Sequence, residues 1–110
     1  MTFAGVKFKN PFIVASGPVT STIERLKKVD AQGAGGVSTK LTLMKLPYKS
    51  TMRMYSDTDH YGIVFADKRL ELEEGLRLVT EAKRQTSLVV FTNITHVGED
   101  LAGWAKLGKL

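Results

Sequence analysis

Residues 10–20 read NPFIVASGPVT. Phe12, Ile13 and Val14 form a short apolar run bounded by Pro11 and Gly17, the signature of a strand buried on both faces. The chain then turns abruptly to Ala15, Ser16 and Gly17. Small residues at the C-terminal end of a strand leave room for something to come close to the backbone. Two later stretches have the same plan. Residues 35–40, GGVSTK, predict a short strand that runs straight into Ser38, Thr39 and Lys40. Residues 88–93, LVVFTN, predict a third buried strand that ends in Thr92 and Asn93.

Helical patterns separate these strands. STIE at 21–24 has the form of a capping box, with Ile23, Leu26 and Val29 at helical spacing behind it and Gly33 as the stop. A second helix is expected with Asp67 as its cap. Glu71, Glu73 and Glu74 would stand in its first turns, with Leu72, Leu76 and Val79 as its apolar stripe and Lys83 and Arg84 near its end. A third spans Gly98 to Leu110, with Leu101, Trp104 and Leu107 on one side. Thr2 to Lys9 suits a short hairpin or strand. Residues 41–66 read as a long irregular segment, and a connection of that length usually covers something.

Strand-helix alternation of this kind calls for a parallel sheet, hence an α/β fold. In such sheets the C-terminal strand ends share one rim, where binding and chemistry collect. Ala15, Ser16 and Gly17 let backbone amides approach a flat ligand. Lys40 is placed to neutralise developing negative charge, and Asn93 offers a donor and an acceptor together. Each also has a plain structural use: Ser16 in a turn, Lys40 as a snorkelling surface lysine, Asn93 bonded to local backbone.

KNPFIVASGP, GAGGVSTK and VVFTNI together resemble successive strands of the dihydroorotate dehydrogenase family, including the related dihydropyrimidine dehydrogenase domains. That resemblance implies the N-terminal part, about three βα units, of a (β/α)8 TIM barrel that binds FMN at its C-terminal rim and oxidises a dihydropyrimidine. It places Ala15, Ser16, Gly17, Thr39, Lys40 and Asn93 at the flavin, with Lys40 and Asn93 also at the pyrimidine substrate. The family commonly has an asparagine in a glycine-led segment after the second strand, where this chain has Gly62, Ile63, Val64 and Phe65. A whole barrel takes about 250 residues, and the family's catalytic cysteine or serine and its flavin-phosphate site come from later strands. The expectation is therefore one incomplete domain over 1–110, with no catalytic residue within it and weak or absent flavin binding in isolation. Its partners are expected to be a second copy or the remainder of the barrel.

Composition sets the outer bounds. The 110 residues are 43% hydrophobic and 25% charged and include no cysteine, so neither a disulfide framework nor a catalytic thiol can be built from them. No apolar run approaches the roughly 20 residues that span a bilayer, and Lys7, Lys9 and Asn10 interrupt any signal-like segment. A cytoplasmic protein is expected. The net charge of +5 is scattered without interleaved aromatics, which favours a solvated basic surface over a nucleic-acid interface. Asp57, Asp59 and His60 match no metal-ligand spacing. Met44, Met52 and Met54 with Tyr48 and Tyr55 suit a lid over an apolar ligand, and His96 follows the third strand. The alternative reading is a non-catalytic α/β module that completes its sheet with a partner chain.

Overall fold

Two parallel β-ladders run in succession along the same pair of chain segments. The structure is a computed structural model, and it describes residues 1–44, 52–56, 62–66, 69–96 and 99–110. The chain opens with an antiparallel hairpin, β1 (Thr2–Phe3) and β2 (Val6–Lys7), whose turn places Ala4 and Gly5 at positive φ. The strand expected at 12–15 appears as β3 (Ile13–Val14). It pairs in parallel with β4 (Gly36–Ser38), and further along the chain β9 (Val89–Phe91) pairs in parallel with the other side of β4. Beyond these strands, β5 (Thr42–Leu43) lies between β8 (Leu70–Glu71) and β10 (Ile94–Thr95), again in parallel. Thr39 N–H donates to Phe91 C=O and Thr42 N–H to Asn93 C=O, both at 2.9 Å, so the pairing of β4 with β9 continues into that of β5 with β10.

Helix α1 (Ile23–Ala31) and helix α2 (Leu72–Gln85) pack on one face of the first sheet. Leu26, Val37, Leu70, Leu78, Ala82 and Leu88 form the core there, with Val14, Ile23, Val29 and Val90 against it. At roughly 1.5–3 kcal/mol for each fully buried side chain of this size, this cluster is the main source of stability. The other face is covered only in part among the described residues, by Phe8, which is buried and stacks on Phe91 with ring centroids 5.9 Å apart. Ile13 is 46% exposed and Phe91 37%, while Phe12 beside the β3 edge is 73% exposed. The expectation of burial on both faces is thus corrected for the first strand. Its alternate side chains do point to opposite faces, but helices cover only the face that carries Val14 and Val90.

Three local expectations shift for identifiable reasons. Helix α1 is capped by Thr22, whose hydroxyl accepts from Arg25 N–H at 3.4 Å, and not by Ser21. Ser21 Oγ instead donates to Pro18 C=O at 2.8 Å, drawn back by the 3₁₀ turn Pro18–Thr20. Helix α2 begins at Leu72, with Glu74 reaching back to the Glu71 N–H at 3.1 Å, and Asp67 lies outside the described residues. Its sheet-facing side is Gly75, Leu78 and Ala82. The expected stripe of Leu72, Leu76 and Val79 instead lines a cleft of about 310 Å³ with Ile94, Leu107 and Leu110. Within 41–66, β6 (Met52–Ser56) and β7 (Gly62–Ala66) pair as an antiparallel ribbon, so that segment is not a structureless loop. Helix α3 (Leu101–Leu107) starts three residues later than its pattern suggests, and of its expected apolar side only Leu107 is buried.

The N-terminal end of the sheet is tied by one charged cluster. Asp30, at the end of α1, accepts from Lys9 Nζ at 2.8 Å, from Ser87 Oγ at 2.7 Å and from Ser87 N–H at 2.8 Å. The Lys9 ammonium first, then the Ser87 backbone and hydroxyl, hold its carboxyl down at about 2. Asn10 adds a second tie. Its amide donates to Gly33 C=O at 2.7 Å and its carbonyl accepts from Phe12 N–H at 3.0 Å. Gly35 passes so close that a Cβ there would lie 2.2 Å from the Asn10 carbonyl oxygen.

Candidate functional site

At the opposite end of the sheet the chain leaves β3 through Ala15, Ser16 and Gly17 and turns at Pro18–Thr20. Ala15 is exposed; Ser16 and Gly17 are half-buried. Thr20 is fully buried, and its hydroxyl accepts from Gly17 N–H at 3.0 Å and donates to Gly17 C=O at 3.1 Å. Its own carbonyl accepts from Lys40 N–H at 2.9 Å. The segment after the first strand is thereby bonded to the segment after the second.

Thr39 makes the next connection. It is buried, and its hydroxyl oxygen accepts from Asn93 N–H at 3.2 Å. Gly17, Thr39, Lys40 and Asn93 therefore lie along one hydrogen-bonded seam, through Thr20 at one side and Thr39 at the other. Lys40 and Asn93 are half-buried. The Thr39 hydroxyl oxygen is committed in part to this seam, a structural use alongside the expected place near a ring.

Gly17 itself has an extended backbone, φ −177° and ψ −169°, which any residue adopts. Among the described residues a Cβ there would meet nothing nearer than the Ala15 carbonyl oxygen at 4.0 Å. Neither backbone conformation nor packing among these residues calls for glycine at this position. Among the described residues the space beside it is open.

An apolar groove of about 600 Å³ lies elsewhere. It runs along the β3 edge and α1, lined in part by Phe12, Val14, Val19 and Val29 with Arg25 and Lys28. None of the expected site residues lines it. Asp57, Asp59, His60 and Tyr48 lie outside the described residues; Met52, Met54 and Tyr55 fall in β6, of which only the backbone is described.

Two features of this end escaped the sequence. Thr20 is one; a threonine three residues after a glycine, able to close the turn with its hydroxyl, was the available signal. The other is a cluster on α3. His96 Nε2 pairs with Asp100 Oδ1 at 2.8 Å, Asp100 Oδ2 accepts from Gly103 N–H at 2.7 Å, and the imidazole meets the Trp104 ring edge-on at 5.9 Å. The bond from His96, then that from the Gly103 N–H, keeps the Asp100 carboxyl below its ordinary range. A carboxylate only accepts, so Nε2 carries the hydrogen and the buried Nδ1, without a partner among the described residues, is an acceptor when the ring is neutral. His96 thus serves α3.

Part of the chain has counterparts of known identity. The chain is similar to dihydroorotate dehydrogenase. The catalytic subunit of dihydroorotate dehydrogenase B (NAD(+)) from Pyrococcus abyssi is 45% identical over a stretch covering 40% of this chain and 19% of its own. The Pyrococcus horikoshii subunit is 41% identical over 40% of this chain and 18% of its own. For the Pyrococcus furiosus subunit the identity is 53% over 33% of this chain and 12% of its own. The matched stretch spans less than a fifth of each of these relatives. No protein-family profile matches the chain. Among the described residues no helix is long and apolar enough to cross a membrane.

Proposed function

We propose that this chain forms the opening βα units of a (β/α)8 flavoprotein, an FMN-dependent oxidoreductase of pyrimidine metabolism acting on the CH–CH bond of a dihydropyrimidine such as dihydroorotate. The observation that carries this reading is the seam at the rim. Three segments far apart in sequence, around Gly17, Lys40 and Asn93, are bonded side by side at the C-terminal strand ends, and no packing among the described residues demands the glycine. The relatives' names supply the chemistry.

In this reading Ala15, Ser16 and Gly17 give the flavin a flat backbone bed, and Thr39 fixes the edge of the site. Lys40 sets a positive charge by the ring and the pyrimidine, and Asn93 offers an amide donor and acceptor to either. What a bound flavin supplies is an acceptor for two electrons. The chain's own residues bind, orient and place charge; the proton-accepting group is expected from another segment of the barrel.

The test is expression of the gene with any in-frame sequence following Leu110, measuring bound FMN and dihydroorotate-dependent dye reduction. A yellow protein with turnover, reduced at least tenfold by Lys40→Ala, supports the proposal. A stable, folded, colourless product that takes up no FMN refutes it. The partly exposed Ile13 and Phe91 and the groove along β3 favour a second reading, a non-catalytic α/β module completed by a partner chain. A defined oligomer without flavin on size-exclusion chromatography would select it.

A further inference from the structure

Thr20 makes four hydrogen bonds that all serve the same junction. Its hydroxyl accepts from Gly17 N–H and donates to Gly17 C=O, its own N–H also donates to Gly17 C=O at 3.1 Å, and its C=O accepts from Lys40 N–H. Its relative exposure is 0%, so water does not compete for these groups. The turn is anchored further by Ser21 Oγ and Arg25 Nη1, which both donate to Pro18 C=O. The seam to Asn93 depends in the same way on Thr39, whose N–H goes to Phe91 C=O while its hydroxyl takes the Asn93 N–H.

We propose that Thr20 is the positioning residue of this rim, its hydroxyl closing the Gly17 turn so that the Gly17 backbone and Lys40 hold a fixed spacing before any ligand arrives. The proposal deepens the reading of the rim as the ligand-binding edge and rests on it for its purpose, though not for its geometry. The chemistry is specific to the hydroxyl. Valine has nearly the same shape but neither donates nor accepts, so it leaves a Gly17 N–H without its acceptor. Serine keeps the oxygen and loses only a methyl group. A residue that merely filled the core would tolerate valine better than serine; a positioning residue shows the reverse order.

Native-state hydrogen exchange of the whole chain, read amide by amide by NMR, tests this without flavin. In the unmodified chain the Gly17 and Lys40 N–H groups are protected. In Thr20→Val both exchange on the order of tenfold faster, whereas Leu26 and Val89, bonded to Thr22 C=O and Gly35 C=O, keep their rates. Thr20→Ser restores both to within about threefold, the scale of a few tenths of a kcal/mol. The proposal is overturned by an unprotected Gly17 N–H in the unmodified chain, a measurement that stands even where the valine variant does not fold. It is equally overturned by Val and Ser variants that behave alike, or by acceleration equal at Gly17 and Leu26. Absence of flavin binding by the chain with its in-frame continuation, alongside the expected exchange pattern, overturns the functional reading alone.

Discussion

Replacing Asp30 by asparagine removes the charge that ties Lys9, α1 and Ser87 together at the N-terminal end of the sheet. The carboxyl is held at about 2 against an ordinary 3.8, nearly two units. At about 1.36 kcal/mol per unit that is over 2 kcal/mol before screening. The Asp30 side chain is 20% exposed and its Lys9 partner 38%, so solvent screening brings the figure to about 1 kcal/mol. The sign follows from the lowered value. The stabilisation is complete above the unfolded-state value near 3.8 and is lost as pH falls through about 2. Urea unfolding, followed by far-ultraviolet circular dichroism from pH 7 to pH 2, measures it. Asp30→Asn is expected to unfold about 1 kcal/mol more easily than the parent at pH 7, with the two curves converging between pH 4 and pH 2. Glu24 and Asp100 also have lowered values, so both proteins weaken in acid, and it is the gap between them that reports on Asp30. A gap that is zero at pH 7, or that stays constant down to pH 2, refutes the reasoning.

Other consequences are open to measurement. Gly75→Ala raises helix propensity by up to about 1 kcal/mol, yet its Cβ would lie 2.3 Å from Thr42 Oγ1 and 2.9 Å from Thr42 Cβ. The net result is destabilisation of about 1–3 kcal/mol, seen as a lower melting temperature and partly recovered by adding Thr42→Gly. Asp100→Ala removes both the α3 cap and the partner of His96, and is expected to speed exchange of the Gly103 N–H while leaving the Leu26 N–H unchanged. Gly35→Ala drives a Cβ against the Asn10 carbonyl and is expected to abolish the cooperative unfolding transition; a normal transition would show that Asn10 can move.

Much of the strand and helix order is readable because it rests on local chemistry. Leu26, Val29 and Ile23 recur at helical spacing, and GGVSTK and LVVFTN announce short strands that end in polar groups. What the sequence hides depends on distant partners. Ser21 looks like a cap, but the carbonyl of Pro18 competes for its hydroxyl. Phe12 looks like core, yet it sits at the open groove between the β3 edge and α1 and stays largely exposed. The ribbon at 52–56 and 62–66 was hidden because residues such as Arg53 and Ser56 break the expected run of strand-forming side chains. At the rim, the small and polar strand ends pointed to Gly17, Lys40 and Asn93 individually. The bonds that join them cross 54 residues between Thr39 and Asn93, and no periodicity encodes such a span. Thr20 left only a faint trace, its distance from Gly17.

The two ends of the sheet are fastened by different chemistry, and this separates their responses to solvent. The Lys9–Asp30 tie is ionic and partly wet, so counterions at 0.1 M, with a Debye length of about 10 Å, attenuate it. The bonds made by Thr20 and Thr39 are uncharged and enclosed. Rising ionic strength therefore loosens the foundation of the sheet while the opposite edge keeps its spacing, and a brine that lowers the melting point leaves the geometry around Gly17 and Lys40 intact until the whole fold gives way.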